Sequence, residues 1–429
     1  MPESGVATSG RVPSADVANP AAATPPIAVV GTKGNNLDDV RRNNLAAVLG
    51  LVHTGGAVSR AQLTRETGLN RSTVGALVAE LVNLRLVDEA EPTTTKQVGR
   101  PSPVIMPSTR TVALAVNPEL DAVTIGLVGL GGRIIKRIRY DTIRIPSVEE
   151  VVNIVSAVVA GMRDELDAHY DTVGIGLAVP GLVRAGDGVV TLTPHLGWRN
   201  EPLSQMLQDA IGLPVFAAND ASVGVVAERI FGAGRGVEDL VYLNGGASGI
   251  GGGIVSDGRL LRGVNGYAGE LGHTLVNSAG VVCHCGATGC LETEVRREPL
   301  LQALGLDPTE GDQLEGALLA AYADPDRVAP EIAAVVDRQL AYLGVALRNI
   351  VNVFNPKLVI LGGFLGALSE IAPERIEHAV ATSAMMGPRD DVSTVRAALG
   401  RDLLIVGAAE LAFAPILADP ASVERVLAG

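Results

Sequence analysis

The sequence predicts an α/β protein in which a small helical module with a β-wing precedes two α/β lobes. Three observations predict it. Ordered helix signals fill residues 37–83, short β-branched runs alternate with helical patterns from Thr111 onward, and a second α/β set follows residue 222. The 429 residues leave room for several cores. Hydrophobic residues make up 47% and charged residues 19%, which excludes a wholly disordered chain, and no apolar run reaches the roughly eighteen residues of a membrane span. Three cysteines crowded into residues 283–290 form no disulfide framework, and the N-terminus lacks the basic-then-apolar order of a signal peptide. The expected compartment is the cytoplasm, with no membrane partner.

Residues 1–36, rich in Ala, Pro, Ser and Gly, cannot repay the entropy of ordering and are expected to form a disordered tail. Leu45, Val48, Leu49 and Val52 then mark one face of a helix ending at Gly55-Gly56. A short helix follows, with Ser59 and Gln62 at capping-box spacing, Leu63 as apolar anchor and Gly68-Leu69-Asn70 as breaker. Asn70 caps a third helix whose inner face is Val74, Leu77, Val78 and Leu81. Leu84–Glu89 and Val104–Met106 read as two strands around a polar loop that contains Gly99-Arg100-Pro101.

Together, residues 37–105 read as a winged helix-turn-helix. Apolar helix faces alone suit a packing bundle equally well. The order of the signals favours DNA, as does the charge: residues 33–105 hold nine Lys and Arg against seven Asp and Glu, a net +2 in a chain of net −13. Arg71, Ser72 and Thr73, outward on the third helix, and Arg100 in the wing are the expected contacts to operator DNA.

From Thr111, runs such as Val112–Val116, Val123–Val128, Val173–Val179 and Leu240–Leu243 alternate with helical patterns such as Val148–Asp167. Ile254–Val255, a long helix over Glu331–Asn352 and the strand Leu358–Leu361 supply the second lobe. Ligands of such folds lie between the lobes at the carboxyl ends of strands.

All three cysteines lie in Cys283-His284-Cys285-Gly-Ala-Thr-Gly-Cys290, ten residues after His273. His273, Cys283, Cys285 and Cys290 satisfy a tetrahedral zinc with no open position, so the expected cofactor is a structural Zn2+; His284 competes with His273 for the fourth place. Asn244–Gly253, glycine-rich after a strand, suits either anion binding or close packing. Asn219, Asp220, Glu270 and Glu292 stand near Gly-rich turns, as hydroxyl-binding groups of a sugar site do, and Asp220 is also a candidate general base.

Over about residues 37–420 the chain resembles the ROK family (repressors, open reading frames and kinases). The likeness is carried by Gly-Leu-Ala-Val-Pro-Gly at 176–181, Thr193-Pro-His-Leu-Gly-Trp198, Asn219-Asp220, Ser248-Gly-Ile-Gly-Gly-Gly253, Gly269-Glu-Leu-Gly-His273, Cys285-Gly-Ala-Thr-Gly-Cys290-Leu-Glu292 and Asn355-Pro-Lys-Leu-Val-Ile-Leu-Gly-Gly363. The resemblance implies a two-lobe, actin-like and hexokinase-like fold and a homodimer or homotetramer. Lobe one would be residues 106–221 completed by 401–429, and lobe two residues 222–400 with the zinc loop. It also implies that Asn219, Asp220, Glu270, His273 and Glu292 touch a sugar, with His273 also on the zinc.

Two departures bear on function. Where kinase members have an Asp-x-Gly-Gly-Thr-type loop, this chain runs from Val112–Val116 into Asn117-Pro118-Glu119-Leu120-Asp121, without glycine and with an acid where phosphates would sit. His195 stands where the family often has Asn, which bears on the identity of the sugar. The sequence therefore reads as a sugar-responsive, DNA-binding transcriptional repressor and not an enzyme, its effector a sugar or sugar phosphate. The rival reading is an ATP-dependent ROK sugar kinase with a DNA-binding appendage.

Overall fold

The computed structural model describes residues 36–90 and 103–428, so the expected tail and Arg100 lie outside the described residues. Helix α1 (Leu37–Gly55) opens on a reciprocal cap: Asp39 N donates to Asn36 Oδ1 at 2.8 Å while the Asp39 carboxylate accepts from Asn36 N. It stops at Gly56, whose φ of 70° a side chain would strain. After β1 (Val58–Ser59), α2 (Arg60–Thr67) is capped by Ser59, which accepts from Gln62 N at 3.1 Å. Only half of the expected box forms, because the Gln62 amide donates to Glu66 instead. Asn70 caps α3 (Arg71–Asn83) through Thr73 N, and Val74, Leu77, Val78 and Leu81 are buried. Strands β2 (Val87–Ala90) and β3 (Val104–Pro107) pair antiparallel, and β1 adds to the far side of β3. This third strand, two residues long, has no period for a sequence to display.

The next sheet runs β11-β7-β4-β5-β6. Its strands are β4 (Thr111–Pro118), β5 (Ala122–Gly129), β6 (Arg133–Asp141), β7 (Asp171–Val179) and β11 (Val215–Asn219). Between them lie α4 (Val148–Gly161), α5 (Arg163–His169), a small sheet of β8 (Leu182–Val183), β9 (Val190–Thr193) and β10 (Trp198–Glu201), and α6 (Leu203–Ile211). The helix expected over 148–167 is thus two, broken at Met162 after Gly161, a poor helix residue.

Helix α7 (Asp220–Phe231) leads to a second sheet, β14-β13-β12-β15-β16. It is built from β12 (Leu240–Gly246), β13 (Gly249–Ser256), β14 (Arg259–Leu260), β15 (Leu358–Gly363) and β16 (Ser393–Arg396). Helices α8 (Leu291–Glu294), α9 (Arg297–Leu304), α10 (Leu314–Ala321), α11 (Pro330–Phe354), α12 (Phe364–Ile371) and α13 (Pro373–Ser383) accompany it.

The chain then returns to the first sheet as α14 (Leu403–Ala418), followed by α15 (Val423–Ala428). Helix α14 is apolar nearly all round because it is covered on several sides: its Ala408, Ala409, Ala412 and Phe413 share one core with Leu45, Val48 and Leu49 of α1 and Val173 of β7. Among the described residues no helix is long and apolar enough to cross a membrane. Two glycines let α14 lie flush. A Cβ on Gly176 would stand 1.7 Å from the Ala408 carbonyl oxygen, and one on Gly407 would stand 2.4 Å from that of Val223 in α7.

Gly407→Ala is expected to push α7 and α14 apart and destabilise the fold by ~1–3 kcal/mol, read as a lowered urea midpoint at unchanged slope. An unaltered midpoint would show the crossing to be slack.

Candidate functional site

Strand β11 ends at Asn219 and α7 begins at Asp220, so the pair sits at the carboxyl edge of the first sheet, facing the second. Both ends of Asn219 are engaged: its Oδ1 caps α7 by accepting from Ser222 N at 3.0 Å, and its Nδ2 donates to Gly181 O at 3.0 Å. Asn219 thereby ties the segment that follows β7 to the first turn of α7. Asp220 Oδ1 accepts from Ala221 N at 2.8 Å. Burial raises its carboxyl to about 6 against the pull of that N–H, and Glu270 nearby raises it further. Burial also raises Glu270.

From there the polar groups continue. Glu270 Oε2 lies 3.9 Å from His273 Nε2, and on the other side of the same ring Nδ1 lies 3.4 Å from Glu292 Oε1. Glu292, only 8% exposed, also meets His284 Nδ1 at 3.1 Å and accepts from Cys283 Sγ at 3.1 Å. Asp220, Glu270, His273 and Glu292 are therefore brought into one row, with Asn219 at its end. His195 joins from the first lobe, its ring 5.9 Å from that of His284. A cavity of about 240 Å³ opens here, with His195, Ser248, His284, Glu292, Arg296 and Arg297 in its wall. The wall position of His284 went unread in the sequence, where its place between two cysteines marked it only as a metal ligand.

The glycines of 249–253 act by close approach. A Cβ on Gly249 would meet Glu292 Oε2 at 2.6 Å, and one on Gly252 would meet the Gly269 carbonyl at 2.5 Å. They let Glu292 and the Glu270 loop press against β13, which favours the packing reading of this segment over anion binding.

His273, Cys283, Cys285 and Cys290 bring one donor atom each within 4.8 Å of one another. Cys285 and Cys290 sulfurs are 3.7 Å apart and Cys283 Sγ is 3.6 Å from His273 Nδ1. Two ~2.3 Å zinc–sulfur bonds at a tetrahedral angle separate sulfurs by about 3.8 Å, so the spacing fits a zinc ion. A second set, His273, Cys283, His284 and Glu292, overlaps the first. It joins His284 to Glu292 and to Cys283, whose sulfur lies 3.8 Å from His284 Nδ1, whereas His273 falls in one set with all three thiols. The loop is anchored from behind by Glu294, fully buried, which accepts from Val281 N and from Arg338 of α11.

The turn after β4 is closed. Glu119 N donates to Ala122 O, and the Glu119 side chain accepts from Asn117 Nδ2 at 2.8 Å and from Arg139 of β6. Arg139 also holds Asp121 at 3.0 Å and Asp141 at 2.9 Å. No backbone cradle for phosphate remains in this turn. On the N-terminal module, Arg71 and Ser72 are exposed at the start of α3 and Thr73 is half-buried; Ser72 donates to Asn70 Oδ1.

The ROK family profile matches residues 116–414. A xylose repressor of Caldicellulosiruptor bescii is 29% identical over 80% of this chain and 88% of its own length. A glucokinase of Thermotoga maritima is 33% identical over 67% of this chain and 93% of its own. Among solved structures, a ROK family transcriptional regulator, homologue of the E. coli MLC protein, superposes with a TM-score of 0.73 at 27% identity, over 91% of this chain and all of that one.

Asp220 gives a pH-dependent prediction. Its carboxyl is raised from 3.8 to about 6, so the folded protein holds this proton more tightly than the unfolded chain. That contribution to stability is full below 3.8 and is lost as pH rises through about 6. Asp220→Asn should therefore be more stable than the parent at pH 7.5 by ~1–3 kcal/mol, the upper figure discounted because the residue is only half-buried. The advantage should shrink at pH 4.5, as read by urea unfolding; one independent of pH would mean that the carboxylate is unstrained.

Proposed function

The chain belongs to the ROK family, and from that premise we propose that it is a sugar-responsive, DNA-binding repressor whose cleft senses a ligand without phosphorylating it. The observation that carries the reading is the closed β4–β5 turn: Glu119, held by Arg139 and Asn117, places negative charge where a kinase would seat nucleotide phosphate. The row from Asp220 to Glu292 meanwhile offers carboxylates, an amide and an imidazole to neighbouring hydroxyls. In support, the regulator's structure runs over 91% of this chain, whereas the glucokinase spans 67%.

We read the module α1–α3 with β1–β3 as a winged helix-turn-helix that enters a DNA major groove with Arg71, Ser72 and Thr73, with Arg100 on the backbone or minor groove. The protein would act as a homodimer or homotetramer on half-sites ~34–36 Å apart, and sugar or sugar phosphate between the lobes would change the angle between subunits. A ligand that moves the balance from 1:99 to 99:1 prefers one state by about 5.5 kcal/mol. One structural zinc per chain on His273, Cys283, Cys285 and Cys290 would fix the loop carrying Glu292, and binding through His273 Nδ1 leaves Nε2–H to donate to a sugar hydroxyl.

The test of the function is a panel of D-xylose, D-glucose, N-acetylglucosamine and hexose 6-phosphates, assayed for ATP turnover and for change in DNA affinity. One member should shift DNA binding, with no turnover above a no-protein control. Asp220→Asn should raise the concentration needed by roughly five- to hundred-fold, equivalent to ~1–3 kcal/mol. Turnover abolished by Asp220→Asn would instead establish the kinase.

Arg71→Ala should weaken DNA binding, by ~1–3 kcal/mol at one base position for a guanine contact and evenly across sequences for a phosphate contact; unchanged affinity would remove the docking scheme. Elemental analysis should find about one zinc per chain, lost in Cys285→Ser; zinc-free parent protein, or full retention in the variant, would refute the metal assignment.

A further inference from the structure

We propose that His53 is the positioning residue through which the state of the cleft reaches the DNA-binding module, by way of α7; the proposal rests on the sugar-responsive reading above. Helix α7 begins at Asp220 in the cleft and ends at Phe231, a span of about 18 Å. The Phe231 ring packs edge-on against the imidazole of His53, centroids 5.3 Å apart, and Phe413 of α14 packs on it at 5.9 Å. His53 lies in the last turn of α1 and is 2% exposed.

The hydrogen bonds fix the ring's tautomer. Gly131 N, in the turn between β5 and β6, donates to His53 Nδ1 at 3.0 Å, so that nitrogen carries no proton and Nε2–H donates to Glu410 Oε2 at 3.1 Å. Glu410 stands on α14 three residues beyond Gly407, where α14 crosses α7. One imidazole therefore touches the end of α7, the helix that α7 crosses and the turn of the first sheet. A second strap lies beside it, from Arg235, just after α7, to Thr54 O at 2.9 Å.

Around this joint the seam between α1 and α14 is apolar, built from Leu45, Val48, Leu49 and Val52 against Ala408, Ala409 and Ala412. Apolar contacts tolerate sliding, whereas the two hydrogen bonds of His53 are directional and set the angle of α1 on the lobes. Glu410 Oε1 is buried and has no hydrogen-bond partner in this arrangement, an acceptor left over for a different one. A ligand that draws on Asp220 tilts α7 about its crossing with α14, moves Phe231 and turns the ring on which α1 is hung.

The experiment uses full-length parent, H53L/E410L, which replaces both polar side chains by apolar ones so that neither is left buried alone and which also takes the acceptor from the half-buried Gly131 N, and the conservative E410Q. Amide hydrogen exchange in residues 37–83 is measured with and without D-xylose, D-glucose, N-acetylglucosamine or the 6-phosphates of the two hexoses, with binding followed by calorimetry. A bound sugar should change exchange in the module by about fivefold or more in the parent and E410Q, and by less than about twofold in H53L/E410L, with sugar affinity alike within about twofold in all three. If H53L/E410L fails to fold, Phe231→Ala, which removes the α7 contact and spares the hydrogen bonds, is read the same way. An undiminished response in the variant, or a bound sugar that leaves the parent's module unchanged, overturns the joint and leaves the sugar reading standing. Failure of every probe to bind the parent overturns the sugar reading and the joint with it.

Discussion

The crossing of α7 and α14 is the contact on which the other parts depend, because each of those helices serves more than one part at once. Helix α7 carries Asp220 into the cleft, lies along β13 through Ala221 and Val225, and ends at the N-terminal module. Helix α14 covers β7 and β4 and offers its other side to α1. Gly407 allows the two to meet backbone to backbone, and Glu228 secures the far end of α7 by accepting from Ala233 N and Leu399 N. A displacement of either helix cannot remain local, since close-packed interiors pass strain on to their neighbours.

The second constraint is the sharing of single side chains between neighbouring tasks. His273 offers Nδ1 to the thiol cluster and Nε2 to the cleft, and Glu292 lies among Cys283, His273 and His284. Burial raises the thiols of Cys283 and Cys290, while backbone N–H donation from Ala287 lowers Cys285. A dication that displaces those thiol protons would also order the loop bearing Glu292, so loop and cleft gain their shape together.

Much of this was legible in the sequence because it is local. Helix faces at i, i+3, i+4 and i+7, the Asn70 cap and the Gly56 and Gly68 stops each follow from a few adjacent residues, and the structure reproduces them. The loss of glycine after β4 was equally visible, though the locking of Glu119 by Arg139, twenty residues on, was not. What was missed depends on contacts distant along the chain. Strand β6 reads Arg-Ile-Ile-Lys-Arg-Ile-Arg-Tyr-Asp and belongs to the sheet through its pairing with β5. His53 and Glu410 are 357 residues apart. One signal was available: His53 falls four residues after Leu49, on the apolar stripe of α1, where a polar ring requires a partner.

The closed turn after β4 also bears on how such a protein can change over evolutionary time. Replacing Glu119 alone would leave Arg139 facing Asp121 and Asp141, and Pro118 would still lack the N–H that an anion needs. Replacing Pro118 alone would leave the carboxylate in place. A nucleotide-binding turn thus lies several substitutions away, and no single one of them both removes the carboxylate and supplies the missing N–H.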